Sequence, residues 1–266
     1  MPSPTFWPKV LPSSDWRPRL TVVLPTYNES GNIGDLILSV RSASQAFPDV
    51  EILVVDDNSP DGTAAIAAGA GADVRVVVRR EERGLASAVR RGIEEARGDV
   101  VVVMDTDFNH QPEMIPQMVD FLRYYDLVIG SRFTVGGGMD ERERYLFSFW
   151  FNFFCRLVLR TKIQDHLSGF FAARREALLD LDGQVIFQGY GDYFIRMLVQ
   201  WLQRGRSVLE VPVYYLARKH GESKTQFMRV LITYTGAVLR VAWGRRGASA
   251  AGKTPGERRR GPTSVA

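Results

Sequence analysis

The sequence predicts an α/β domain on a mostly parallel sheet, and three observations predict it. Between residues 20 and 130, short β-branched runs alternate with segments of helical periodicity, the pattern of successive βαβ units. Those runs are apolar nearly throughout, as strands are when both faces of a parallel sheet are covered. Each is followed by polar, Gly or Pro residues, and open parallel sheets bind ligands at the carboxyl ends of their strands.

The elements follow in order. Residues 1–18 hold five prolines and no apolar run, which reads as an extended arm and not a signal peptide. A strand over residues 20–25 runs into Thr26-Tyr27-Asn28-Glu29, with a helix over 32–46 behind it. A strand over 51–56 runs into Asp57-Asn58-Ser59, followed by a helix over 62–70. A strand over 74–79 and a helix over 85–96 come next. The strand over 100–105 leads into Thr106-Asp107-Phe108-Asn109, and a helix over 112–124 opens on a proline, which the first turn tolerates. A strand over 127–130 closes this part.

Residues 136–243 have another texture. Gly136-Gly137-Gly138 reads as a flexible joint. Residues 141–162 form an aromatic-rich helix with Arg142, Arg144, Arg156, Arg160 and Lys162 along it and at its ends. Arginines on such a helix snorkel when it lies in a headgroup plane, so lipid-interface association is the expectation and core packing the alternative. A helix over 190–204, a strand over 208–215 and a polar loop over 218–225 follow. An apolar helix over 226–244 reads like the earlier one. Residues 245–266 are Gly, Ala, Pro, Ser and Arg, expected as a basic disordered tail.

Composition excludes several classes. The formal charge is +4 over 266 residues. Six Arg and Lys against Glu257 place +5 in residues 245–266, so residues 1–244 carry −1 and present no basic face for a nucleic acid. One cysteine, Cys155, precludes an internal disulfide or a cysteine-built zinc site and fits a reducing compartment. No apolar stretch reaches the roughly 18–20 residues of a membrane span, so a soluble or peripheral protein is expected.

Three constellations carry chemistry. Asp105 and Asp107 leave the end of a strand together, and a turn after Asp105 lets both reach one divalent cation with Asn109 supplying a third oxygen. The alternative is that these carboxylates cap the helix at Pro112. Asp57 in the run Asp56-Asp57-Asn58-Ser59 suits the paired donors of a base or ribose, whereas Asp61 suits a helix cap. Thr26 to Glu29 runs into a helix N-terminus, where free N–H groups attract an anion or nucleotide.

The joint order of these stretches resembles the dolichyl- or polyprenyl-phosphate mannose synthases within the family-2 inverting glycosyltransferases. The matching segments are LPTYNE (24–29), VVDDNSPDGT (54–63), RGLASAVRRG (83–92), GDVVVVMDTDFNHQPE (98–113), GSRF (130–133), DHLSGF (165–170) and RKHGESK (218–224). The resemblance implies a GT-A fold over residues 19–225, with the helix at 136–164 as an interfacial insertion. It implies a nucleotide-sugar donor contacted by Pro25, Tyr27, Glu29, Val55 and Asp57, with Thr106 beside it. Asp105, Asp107 and Asn109 become the Mg²⁺ or Mn²⁺ set, with Asp105, Asp107 and Arg132 catalytic. Arg132, Arg218 and Lys224 become cations for the phosphates. The implied reaction moves a hexosyl group, mannose from GDP-mannose, onto a polyprenyl phosphate at the cytoplasmic membrane face, with an anionic membrane surface as partner and room for a membrane-anchored subunit.

The chemistry is coherent, because an acceptor phosphate oxygen is already anionic and needs no general base. Asp165 would be the nearest base for a hydroxyl acceptor, and a structural role is favoured for it. Phe171 stands where the family often has Arg, and Arg196 near a position that often carries Glu, so another donor such as UDP-glucose, a hydroxyl acceptor, or a silent nucleotide-sugar- or lipid-binding protein of this fold are the alternatives. His110 and His220 flank the motifs and read as hydrogen-bonded loop residues more readily than as ligands. GASAAGKT (247–254) satisfies the P-loop expression without a preceding strand and is accidental.

Overall fold

The computed structural model describes residues 16–216 and 232–243. The Pro-rich arm up to residue 15, Arg218, His220, Lys224, residues 226–231 of the expected last helix, the P-loop-like segment and the basic tail lie outside the described residues.

Seven strands form one sheet in the order β3-β2-β1-β4-β7-β5-β8. These are β1 (Leu20–Thr26), β2 (Val50–Asp56), β3 (Val74–Val78), β4 (Val100–Val103), β5 (Leu127–Ser131), β7 (Phe171–Arg174) and β8 (Val208–Pro212). β7 runs antiparallel to both neighbours, and the other pairs are parallel. The near-continuous apolar runs follow from burial on both faces. Val22 and Leu24 pack into one core layer while Val23 packs into the other, and Val100 and Val102 alternate likewise with Val101 and Val103.

Helices α1 (Ile33–Ala43), α2 (Thr63–Ala68) and α4 (Ile115–Phe121) cover the first face, and α3 (Leu85–Glu95), α6 (Arg175–Leu179), α7 (Gly183–Ile186) and α8 (Tyr193–Gln203) the second. α3 lies so near β1 that a Cβ on Gly92 would stand 2.2 Å from Val23 Cγ1, which makes glycine the residue that fits there. α5 (Arg142–Leu159) packs with α8 and with the helix over residues 232–243 in a third cluster of Phe151, Cys155, Ile195, Val199, Tyr234 and Val238.

Several expectations are corrected. β7 was not foreseen, because four residues inserted between β4 and β5 carry no period of their own. The strand expected over 208–215 is two elements, since Pro212 offers no N–H to continue a ladder. β8 ends there, and β9 (Tyr214–Tyr215) pairs with β6 (Gly138–Met139) in a separate two-stranded sheet. The Gly136–Gly138 stretch, expected as a joint, thus ends in a paired strand. A Cβ on Gly138 would lie 2.6 Å from the Tyr214 ring and one on Gly137 2.5 Å from the Ser131 carbonyl, so these glycines permit close packing. The helix after Pro112 starts as a 3-10 turn over Pro112–Met114 before α4, where Pro116 removes another N–H.

Candidate active site

The strand register sets the site. Pro25 pairs with Val55 and Val23 with Val103, so β2, β1 and β4 release their loops side by side at one sheet edge. Each loop has one non-glycine residue in the left-handed region: Asn28 at φ 58°, Asn58 at φ 56° and Phe108 at φ 62°. Strain of this kind persists only where surrounding contacts fix it, and it clusters at functional sites.

The first two loops are stitched together. The N–H groups of Asn28, Glu29 and Ser30 donate to Ser59 Oγ (2.9 Å), Thr63 Oγ1 (3.0 Å) and Asp61 Oδ2 (3.0 Å). The donors expected to await an anion are thus occupied, because the polar Asp56–Thr63 loop reaches across to them. Asp61 also accepts from the Thr63 N–H at 3.1 Å at the start of α2. Burial alone would raise the Asp61 pKa, yet the bonds from Thr63 and Ser30 outweigh it and hold it down at about 2.

Asp57 is buried against Arg79, which donates from Nε at 2.8 Å and from Nη2. The Gly84 N–H adds a bond of 2.7 Å. Gly84 has φ 130°, a conformation that side chains rarely adopt, and it turns that N–H onto the carboxylate. Arg79 continues to Ser87 Oγ (2.8 Å) and Gly84 O (3.0 Å), so the loop before α3 is latched to the second strand end. Tyr27 is 38% exposed, with the Arg83 guanidinium 5.7 Å from its ring centroid. Pro25 and Val55 are buried in the sheet, so their side chains present nothing to a ligand; they fix where the loops begin.

In the third loop the Asp105 side chain is 41% exposed. Asn109 is buried, and its N–H and Nδ2 donate to Asp107 at 3.2 and 2.7 Å, so Asn109 orients that carboxylate. Thr106 is 5% exposed. The Asp105 N–H donates to His110 Nδ1 at 2.8 Å, and His110 is fully buried. Burial pushes its pKa down to about 4, so the ring is neutral, a hydrogen-bonded residue as the sequence reading favours.

Arg132, expected as a phosphate cation, is committed to a carboxylate of its own chain. Its guanidinium is buried and makes a two-armed pair with Asp165, Nε to Oδ2 at 2.8 Å and Nη2 to Oδ1 at 2.7 Å, while its N–H meets Oδ2 at 3.1 Å. Burial would depress the arginine, but the Asp165 charge outweighs it and holds Arg132 protonated; burial would likewise raise Asp165, and Arg132 holds it ionised. Tyr215 covers the guanidinium at 4.7 Å. Glu210 on β8 fixes the approach to Asp165 by accepting from the Gln164 and Asp165 N–H groups at 2.7 and 2.9 Å. The structural reading of Asp165 therefore fits its surroundings.

Sequence reasoning missed Arg79, Tyr215 and Glu210 as site-forming residues. Arg79, a cation directly after an apolar strand beside the Asp56-Asp57 strand end, was the one legible signal. The partners of the other two are brought from segments far along the chain.

This seven-stranded sheet with acidic loops at adjacent strand ends is the GT-A fold of nucleotide-sugar transferases. Glucosyl-3-phosphoglycerate synthase from Mycobacterium tuberculosis, in complex with Mn²⁺, uridine diphosphate and glucosyl-3-phosphoglycerate, superposes with a TM-score of 0.65 at 23% identity, covering 86% of this chain and 80% of that one. Mannosyl-3-phosphoglycerate synthase from Rubrobacter xylanophilus gives 0.62 at 22%, covering 90% and 77%. The chain belongs to glycosyl transferase family 2, whose sequence model matches residues 21–182. It is 38% identical over 215 residues to a dolichol-phosphate mannosyltransferase from Pyrococcus furiosus, covering 77% of this chain but only 59% of that protein. It is 36% identical to an undecaprenyl-phosphate mannosyltransferase from Micrococcus luteus, covering 77% of this chain and 87% of that protein. It is 38% identical to a polyprenol monophosphomannose synthase from Mycolicibacterium smegmatis, covering 86% and 88%.

Proposed function

We propose that the protein transfers mannose from GDP-mannose, with inversion, to a polyprenyl phosphate at the cytoplasmic membrane face. The observation that carries this reading is the 36–38% identity to polyprenyl-phosphate mannosyltransferases across most of the chain. Tyr27, Glu29 and Asp57 follow the ends of two neighbouring strands and are the proposed nucleoside contacts, Asp57 keeping Arg79 and the Gly84 N–H as its partners, and Thr106, after β4, is proposed to lie beside the donor. Arg218 and Lys224 are the proposed phosphate cations.

The donor set fits Mg²⁺ or Mn²⁺. Asp105 and Asp107 are hard oxygen ligands, and among the described residues no cluster of three His, Cys, Asp or Glu could hold an ion unaided. Two carboxylates with substrate phosphates and water completing the sphere are what such an ion uses. Bound there, it would supply neutralisation of the charge that develops on the departing diphosphate. Asn109 holds Asp107 in place for that task. Arg132 contributes by fixing the start of the Phe133 loop through Asp165. No side chain has to remove a proton from the acceptor, and Asp165, fully buried on Arg132, is not placed to do so.

The membrane face is proposed from α5. Leu146, Trp150, Phe153 and Leu157 recur at helical spacing and are 57%, 64%, 49% and 68% exposed, whereas Ser148 and Asn152 are turned inward. An exposed apolar stripe with exposed Arg142, Arg156, Arg160 and Lys162 around it suits an anionic lipid surface, where the acceptor resides. No described helix is long and apolar enough to cross a membrane.

A donor screen tests the whole reading. Radiolabelled GDP-mannose, UDP-glucose and other nucleotide sugars are offered with polyprenyl phosphate in detergent. Label in the organic phase from GDP-mannose alone is expected, and label from UDP-sugars would overturn the mannose assignment.

A further inference from the structure

The two residues after Phe108 each hold one of the two acidic residues before it. Asn109 donates to the Asp107 carboxylate, and His110 accepts from the Asp105 N–H. A backbone N–H can only donate, so His110 Nδ1 carries the lone pair and the ring proton sits on Nε2. That proton points to Tyr215 Oη at 2.8 Å, and Tyr215 in turn donates to the Ser168 carbonyl at 2.9 Å. Nε2 also lies 3.7 Å from Asp105 Oδ2. The imidazole stacks on Phe170 with centroids 4.8 Å apart and planes inclined by 11°, so it has one orientation. The chain of bonds is directional: reversing the tautomer would face Nδ1–H against the Asp105 N–H. It also closes a six-residue turn around Phe108, whose left-handed backbone requires such closure.

We propose that His110 is a positioning residue for Asp105, with its tautomer set jointly by the Asp105 N–H and Tyr215, and that the bond to Asp105 fixes the geometry in which Asp105 and Asp107 meet a divalent ion. The proposal rests on the metal-dependent reading above. Residues that orient metal ligands from behind are worth on the order of ten- to a hundredfold in metal affinity.

The test is Mn²⁺ titration of the full chain with GDP, followed by the electron paramagnetic resonance of free and bound ion, alongside melting temperatures. Wild type binds and Asp107→Ala does not; if wild type fails to bind, or Asp107→Ala binds equally, the metal reading itself fails. His110→Asn keeps an acceptor near the Nδ1 position, and His110→Gln keeps only a donor near Nε2. Mn²⁺ affinity within about threefold of wild type is expected for His110→Asn, and a loss of roughly tenfold or more for His110→Gln. In turnover, His110→Gln lowers kcat while the KM for GDP-mannose moves little. Equal affinity in both variants, or losses that follow the melting temperature in both, would overturn the proposal. Tyr215→Phe removes one oxygen and guards against misfolding of the histidine variants. Its ¹⁵N imidazole spectrum is expected to lose the pure Nε2–H tautomer of wild type and its Mn²⁺ affinity to fall. An unchanged tautomer with unchanged affinity counts against the coupling.

Discussion

Arg132 and Asp165 lie 33 residues apart in the chain and meet through two parallel nitrogen–oxygen contacts of 2.7 and 2.8 Å, with both side chains shielded from water. One partner comes from the end of β5 and the other from the loop that leads to β7, so the pair ties the antiparallel insertion to the parallel sheet. A buried pair of this kind is weak evidence for net stability, but leaving one member alone is costly. Asp165→Ala and Arg132→Ala are each expected to lose about 3–5 kcal/mol in urea unfolding. The paired replacement Arg132→Met with Asp165→Leu is expected to lose much less. Similar losses in all three would mean that packing, and not the uncompensated charge, dominates.

The orientation of Asp107 by Asn109 separates two magnitudes. If Asp107 holds the ion as proposed, its removal takes away several kcal/mol of charge stabilisation, so Asp107→Ala should reduce kcat on the order of 10²–10³-fold or more. Asn109→Ala leaves the carboxylate in place and loosens it, which should cost roughly tenfold and be partly restored by raised Mn²⁺. Initial rates across a Mn²⁺ series distinguish these, and identical profiles for the two variants would make Asn109 a ligand in its own right.

Asp61 gives a pH signature. Its folded pKa of about 2 lies below the unfolded value of roughly 3.9, so its bonds to Ser30 and Thr63 stabilise the fold fully above that unfolded value. The contribution fades as pH falls through the folded value. Asp61→Asn is therefore expected to melt below wild type at pH 6, with the gap narrowing from about pH 4 toward pH 2. A gap that stays constant with pH would assign the effect to shape instead of charge.

The two faces of α5 respond oppositely to mutation. Trp150→Ser with Phe153→Ser removes exposed apolar surface, so liposome binding falls while the melting temperature holds or rises. Asn152→Ala strips the Oδ1 that receives the His166 N–H at 2.7 Å and leaves a buried donor unpaired. That change should cost about 1–3 kcal/mol of stability. If the double serine variant bound anionic vesicles as wild type does, the stripe would not be a lipid-facing surface.

The parallel half of the fold and the order of its acidic loops were legible because each rests on local pattern. The run Val100–Val103 reads as a strand whatever surrounds it, and Asp105 and Asp107 follow it in sequence as they do in space. The Asp57 strand end was legible for the same reason. α5 was legible as aromatic-rich and cation-flanked, but which of its polar side chains turns inward was not. Asn152 lies inside, bonded to Ser148 and His166. A polar side chain can be buried when a specific partner waits for it, and the sequence does not display that partner.

What the sequence determined by itself is the set of elements whose periodicity is complete within one segment, together with the residue types that such loops place at strand ends. What only the tertiary structure decided is pairing. β7 enters the sheet against the direction of its neighbours, Gly138 packs beneath Tyr214, Arg132 closes on Asp165, and His110 finds Tyr215 across 105 positions of chain. Each of these depends on two surfaces whose separation in space is set by the packing of the whole sheet, and no period in either segment encodes the other.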